Sequence, residues 1–376
     1  MSQAEKIVIT GSPLRWQDVV AVARHGAPLE LSSDTWARIE NAQGIVQRIV
    51  ESGERAYGVN TGLGGLSNVS LKDEQLSQLS RNTLLSHACG VGAPLADEQT
   101  RAIICAAIVI YSQGKSGLQR PVVEALLALL NRGITPQVPA QGSVGYLTHM
   151  AHVSIALLGV GNVSYRGQIV SARQALAEEG LPVVRLGAKD GLCLVNGTPC
   201  MTGLSCLALD DASRLLEWAD VIGAMSFEAQ RGQIDAFDPQ IIALKPHPGM
   251  QQVGGNLRAL LEGSEVIAQS KGIRTQDALS LRSIPQVHGA ARDQLAHASR
   301  QIEIELNSAT DNPLVLGTPD NYRVVSQANP HGQSVAMAAD LLAIAMAEIG
   351  SIAERRLDRL INPHVSGLPV FLVANP

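Results

Sequence analysis

The chain has 376 residues, is 45% hydrophobic and only 3% aromatic, and carries a formal net charge of −5. That length suits one large domain or two or three smaller ones, and its core must be aliphatic, which favours close-packed helices. No basic run or aromatic platform is present, which argues against a nucleic-acid partner.

Residues 5–11 alternate weakly and predict a short strand, and 13–28 a helix with Pro13 near its start. Ser32, Ser33 and Asp34 form a capping cluster ahead of a helix over 35–53 that ends at Gly53. The stretch 57-YGVNTGLGGLSN-68 has four glycines in twelve residues and reads as a loop. Helices are predicted from Asp73 to Ser86, over 98–117, and over 121–133, the last with Pro121 in its first turn and Gly133 at its end. A Pro-rich link over 134–141 leads to GSVG at 142–145, and a helix follows over 147–159. A small hairpin over 163–173 and a short helix over 172–180 come next. The run 191-GLCLVNGTPCMTG-203 breaks a helical pattern with a polar turn.

Long helices then dominate, the clearest over 331–361. There Val335, Ala339, Leu342, Met346, Ile349, Ala353 and Leu360 read as one apolar stripe. Regular strand–helix alternation is absent, so the fold class read here is all-α, with Gly-rich loops between packed helices. So long and Ala-rich a stripe implies a bundle shared between chains, a homo-oligomer. The division expected is residues 1–200, with the Gly-rich loop, and residues 201–376, with the long helices.

Five cysteines, none in a CxxC pair, read as reduced thiols of a cytoplasmic protein, and no metal cluster has ligand spacing. The N-terminus shows no secretory leader. The longest apolar stretch read from the sequence, 102–114, is too short to cross a bilayer, so no membrane is expected.

Several polar groups stand in glycine-rich or helix-breaking turns: Tyr57 and Asn60, His87, Asn196, Arg282 and Asn312. Each has a plain structural explanation. Tyr57 could be a packing residue, His87 a satisfied histidine, Asn196 a turn residue before glycine, and Arg282 the partner of Asp277. Together they form a chemical set. A tyrosine is a general base when its neighbours lower its pKa, an arginine grips a carboxylate with two prongs, and an asparagine amide holds an amine or developing charge. These groups bind an amino acid and remove a proton from it. An electron sink is missing, because a β-proton is barely acidic and ammonia is a poor leaving group.

The motifs YGVNTGLGGL, RNTLLSHACGVGAPL, GITPQVPAQGSVG, LVNGT, QDALSLRSIPQV, EIELNSATDNPL and AEIGSIAERRLDRLINPHVSGLPVFL, in that order, resemble those of the aromatic amino acid lyase family. That family includes the histidine, phenylalanine and tyrosine ammonia-lyases. The resemblance covers nearly the whole chain. It implies a mainly helical, fumarase/aspartase-like architecture and a homotetramer whose active sites draw on three subunits. It also implies a self-made electrophile, 4-methylidene-imidazol-5-one (MIO), formed when consecutive Ala, Ser and Gly cyclise and lose water. In the family those three residues follow GSVG; here Gly145 runs directly into Tyr146. Either the modified group is omitted from the written string, or the three residues are deleted.

By resemblance, Tyr57 is the base that removes the β-proton, and Arg282 binds the substrate carboxylate. Asn196 contacts the cofactor carbonyl and the substrate amine. Gln276 and Asn312 line the site, Gly145 and Tyr146 flank the expected MIO, and His87 reads the substrate side chain. A histidine there resembles histidine and tyrosine lyases and implies a polar aromatic substrate, with L-histidine first and urocanate its product. Tyrosine lyases and aminomutases, which return ammonia to the β-carbon, share the same site, and a paralogue that binds an amino acid without MIO is the other alternative. The chain departs from the family at Tyr146 (Asp), Leu279 (the second catalytic Tyr), Pro330 (Phe) and Pro199 (Gln in histidine lyases). It also ends at Pro376, where relatives continue.

Overall fold

Caps and glycines decide where the helices stop. In the computed structural model, which describes residues 5–61, 73–142 and 147–373, the helix Ser33–Ser52 starts after Ser32, whose Oγ accepts from the Thr35 N–H at 3.3 Å. It ends at Gly53, in the left-handed region at φ 70°. The helix Arg120–Asn131 has its proline in the first turn, where no N–H is needed. The helix Asp97–Tyr111 stops six residues earlier than 117, the end expected from the sequence. Gly114 there turns left-handed at φ 64°, and a Cβ on it would lie 2.6 Å from the Arg38 carbonyl oxygen.

The predicted strand forms as Ile7–Ile9 and pairs in parallel with Leu29–Leu31. The predicted hairpin is Asn162–Tyr165 with Gln168–Ser171, followed by the helix Ala172–Glu178. The stretch expected to be a plain Pro-rich link instead contributes two short strands. Thr135–Pro136 pairs with Asn162–Tyr165, and Pro139–Gln141 pairs with Val91–Pro94. Prolines are tolerated in them because the strands are short and lie at edges. A second hairpin, Leu314–Thr318 with Asn321–Val325, follows the helix Ile284–Leu306. Most other described residues are helical.

By compactness the chain falls into two units, Met1–Leu207 with Gln301–Val335, and Ala208–Arg300 with Ala336–Pro376. Both are discontinuous in sequence, unlike the division 1–200 and 201–376. In the first unit the helix Asp97–Tyr111 is buried from Ala102 onward. A second aliphatic cluster there joins Ile45, Ile49, Val59 and Val315. The second unit packs Phe227 against Phe237, ring centroids 4.7 Å apart, among Val253, Leu257, Leu281 and Ile352. Four cysteines are buried and Cys89 is exposed, and none of the five forms a disulfide among the described residues. Burial pushes Cys105 and Cys200 up to about 12, so both are unreactive.

The helix Gln333–Ile361 corrects the predicted stripe. Its buried row is Val335, Ala338, Leu342, Ala345, Ile349, Ile352 and Arg356, alternating steps of three and four, while Ala339 is exposed. Met337, Ile344, Leu357 and Ile361 lie more than half exposed on the same helix. Parts of Asp190–Ala229, a span interrupted by the turn at Asn196, and of Gln333–Ile361 are nevertheless long and apolar enough to cross a membrane by length and composition alone, and 72% of the apolar part of the first is buried.

Candidate active site

Asn196 owes its place to a helix that cannot continue. The short helix Asp190–Val195 ends because Gly197 takes φ 94°, and Pro199 then opens the helix Pro199–Ala229. Asn196 sits in the break, only 7% exposed. Its Nδ2 donates to Asp311 Oδ1 and to the Asn312 carbonyl, each at 2.8 Å. Asp311 also accepts from Lys189 Nζ at 2.6 Å and from the Asn312 N–H at 2.7 Å. The Lys189 and Asp311 side chains are 0% and 1% exposed, and Lys189 Nζ also points at Cys193 Sγ, 3.2 Å away. Burial lowers the Lys189 pKa, but Asp311 and Cys193 together more than offset it and hold the ammonium above its ordinary value. Gln327 fastens the same corner, its N–H donating to Asn312 Oδ1 at 2.8 Å and its Nε2 to the Asp311 carbonyl at 2.7 Å. Behind it, Thr198 Oγ1 donates to Glu305 Oε1 at 2.5 Å, and burial raises the Glu305 pKa against that bond.

Tyr57 stands on a loop that Asn60 holds shut. Asn60 Oδ1 accepts from the Ala56 N–H at 2.9 Å and its Nδ2 donates to the Glu54 carbonyl at 2.7 Å. Tyr57 is half-buried and, with Pro313, Tyr322 and Ser326, lines a cavity of about 210 Å³. It therefore lies beside the segment that carries Asn312. Residues 62–72 of the Gly-rich loop lie outside the described residues.

His87 ends the helix Asp73–His87, with Nδ1 2.7 Å from the Thr83 carbonyl. A carbonyl only accepts, so Nδ1 carries hydrogen, and the neutral ring keeps Nε2 as an acceptor. The turn after it is tied to the neighbouring segments. The Gly90 N–H donates to His152 Nε2 at 3.0 Å, and Val91 pairs with Gln141. His152 rides on the helix Leu147–Leu157, which reaches the Asn196 helix through Ser154 Oγ and the Leu194 carbonyl at 3.3 Å. Burial, then His149, lowers the His152 pKa. Gly145 and Tyr146, predicted to flank the electrophile, lie outside the described residues.

In the first unit, then, Asn196 and Asn312 are brought into direct contact, Tyr57 lies beside them, and His87 is joined to them through the helix Leu147–Leu157. Gln276 and Arg282 belong to the second unit. Arg282 ends the short helix Leu279–Arg282, and its Nε is buried with no acceptor. The plain explanation for Arg282 is not realised, because Asp277 pairs with Arg274 at 3.4 Å and accepts from the Gln233 N–H at 2.6 Å. An orphaned guanidinium donor is costly and fits a carboxylate ligand. Gln276 and Leu279 are exposed.

Sequence reasoning missed Lys189, Asp311, Gln327 and Glu305. Asp311 and Glu305 stand inside the motif EIELNSATDNPL, but Lys189 lies in no motif and meets Asp311 across 122 positions. Cavity size does not locate the site either. A larger space of about 620 Å³, lined by Gln43, Gln47, Gln78, Gln119 and Arg185, holds none of the predicted residues.

A family model described as aromatic amino acid lyase matches residues 14–376. The histidine ammonia-lyase of Symbiobacterium thermophilum is 46% identical over 368 residues, covering 97% of this chain and 72% of that protein. Among solved structures, histidine ammonia-lyase from Trypanosoma cruzi has a TM-score of 0.88 at 36% identity, covering 97% of this chain and 70% of that one. Tyrosine aminomutase from Streptomyces globisporus has a TM-score of 0.92 at 35% identity, covering 99% and 74%.

Proposed function

The chain belongs to the aromatic amino acid lyase family and is a carbon–nitrogen lyase, and on that premise we propose that it eliminates ammonia from L-histidine to give urocanate. Two observations, each within its own unit, support the reading: a buried Nε at Arg282 with no acceptor among the described residues, and a nitrogen at His87 left to accept because the other is already bound. The first fits the carboxylate of an amino acid. The second fits an imidazole N–H, and equally a phenol; the histidine lyases among the relatives support the imidazole.

The family's electrophile would supply the electron sink that makes ammonia a leaving group. The written sequence passes from Gly145 to Tyr146 without Ala-Ser-Gly, so the residues present do not by themselves build it. We propose that the mature chain carries MIO at that point, because matched motifs stand on both sides of a gap of the required size.

The chain's own residues divide the remaining work. Arg282 holds the carboxylate, His87 accepts from the side chain, and Asn196 meets the amine. Tyr57, fixed in place by Asn60, takes the β-proton on its phenolic oxygen. Asn312 completes the wall beside Asn196, and Gln276 lies near the carboxylate. The assembly is a homotetramer in the cytoplasm, a reading supported by Met337, Ile344 and Leu357, all more than half exposed on a helix of 29 residues. A second reading, an amino-acid binder without turnover, is favoured by the missing Ala-Ser-Gly alone. The two separate when purified protein is given L-histidine. Equimolar ammonia and urocanate support the lyase, whereas binding with neither product supports the binder.

A further inference from the structure

Residues 271–277 form no helix or strand, and Gln276 among them is exposed. They are ordered by the end of the helix Pro199–Ala229. Arg274 Nη2 donates to the carbonyls of Gln230 and Arg231, at 2.6 and 2.9 Å, just past the last turn, where a carbonyl has no partner within the helix. The Gln233 side chain spans the segment. Its Oε1 accepts from the Gly272 N–H at 3.1 Å, and its Nε2 donates to the Arg274 carbonyl at 2.8 Å. The buried Asp277 carboxylate accepts from the Gln233 N–H at 2.6 Å and faces Arg274 Nε at 3.4 Å. The chain can turn back to offer Gln233 because residue 232 is glycine; a Cβ there would lie 2.5 Å from the Phe227 ring. Gln276 therefore stands between anchored residues, Arg274 on one side and Asp277 on the other.

We infer that Arg274 is a positioning residue. With Gln233 it fastens the chain on both sides of Gln276 to the end of Pro199–Ala229, and so fixes Gln276 for the carboxylate end of the substrate. Such a segment, left loose, would lose backbone freedom on binding; ordering it in advance spares that cost. The inference rests on the proposed placing of Gln276 near the substrate carboxylate.

The test sets L-histidine against histamine, which keeps the imidazole and the amine and lacks the carboxylate, with affinities from calorimetry on the purified chain. Hydrogen exchange is followed at the backbone amides of residues 233 and 272, which bond across the clamp. Gln276→Ala should lower the preference for histidine by roughly tenfold, the worth of a hydrogen bond to a charged group. Arg274→Ala should lower it by a similar factor, with histamine binding not weakened and both amides exchanging faster. That variant removes a charge and leaves the buried Asp277 unpaired. Gln233→Ala, which cuts both side-chain bonds to the segment and alters no charge, is therefore measured beside it and should shift the preference the same way. Arg274→Lys, which keeps a cation beside Asp277 and a donor for the carbonyls, should recover most of the preference. Adding Arg274→Ala to Gln276→Ala should change the ratio no further. An unchanged preference in both Arg274→Ala and Gln233→Ala would overturn the inference, as would equal weakening of both ligands or a further drop in the double variant. If the intact chain shows no preference for histidine, the carboxylate reading of the site fails. Faster exchange in the variants then still leaves Arg274 as the residue that orders Gln276, and unchanged exchange removes that as well.

Discussion

Arg282 has a buried Nε that no described group accepts from, while the carboxylate nearest in sequence, Asp277, is taken by Arg274. Spare donors of this kind are costly in a resting protein and useful in one that binds carboxylates. Arg282→Ala should therefore weaken L-histidine binding by about tenfold or more, measured by calorimetry, with the melting temperature little changed; unchanged affinity would remove Arg282 from the site. Tyr57→Phe keeps the ring that lines the cavity beside Pro313 and removes only the phenolic oxygen. Its turnover should fall by about 10² to 10⁴, the range for loss of a general base, with an unaltered circular dichroism spectrum. Turnover like that of the intact chain would exclude the assignment. At this scale the sequence yields residue types but not their wiring. Tyr57, His87, Asn196 and Arg282 are visible because they stand in turns that break helices. Lys189 is invisible because its partner is 122 positions away and its neighbours look like an ordinary helix start.

Helix ends were legible wherever a side chain or glycine caps them, as at Ser32, Gly53 and the proline of Arg120–Asn131. The two strands of the Pro-rich link were not, because two or three residues pairing with distant chain carry no periodicity of their own. The stripe of Gln333–Ile361 was misread for a related reason. Alanine falls on several faces of that helix, so composition does not distinguish Ala338 from Ala339, and only packing does. Gly191 lets the helix Asp190–Val195 press on Asp73–His87; a Cβ there would lie 2.4 Å from the Ser80 carbonyl oxygen. Gly191→Ala should cost about 1–3 kcal/mol, the range for overpacking, read from urea denaturation. His152 fastens the turn at Gly90 to the helix Leu147–Leu157, and its folded pKa lies below the ordinary 6.5. As pH falls through 6.5 the unfolded chain takes up a proton before the folded one, so stability drops in that window and stays lower beneath it. His152→Gln keeps an acceptor for the Gly90 N–H and should flatten that part of the curve of melting temperature against pH. An identical curve would show that His152 does not set it.

For the whole molecule, Met337 and Ile344, seven residues apart on one face of Gln333–Ile361, are more than half exposed, as are Trp218 and Met225, more large apolar surface than scattered single residues account for. Ile344→Glu with Met337→Glu should convert a tetramer into smaller species in light scattering, and a chain monomeric from the start would contradict the assembly. The mainly helical class was legible from composition and spacing, because aliphatic helices need no distant partner to declare themselves. The discontinuous units were not, since residues 301–335 return to the first unit only through contacts such as Lys189–Asp311. The proposed reaction is ammonia elimination with an electrophile between Gly145 and Tyr146. Peptide mass mapping across Gly142–Met150 of the purified protein tests it most directly. The expected peptide is heavier than GSVGYLTHM by Ala, Ser and Gly less two waters; a peptide with the mass of GSVGYLTHM itself would rule the electrophile out.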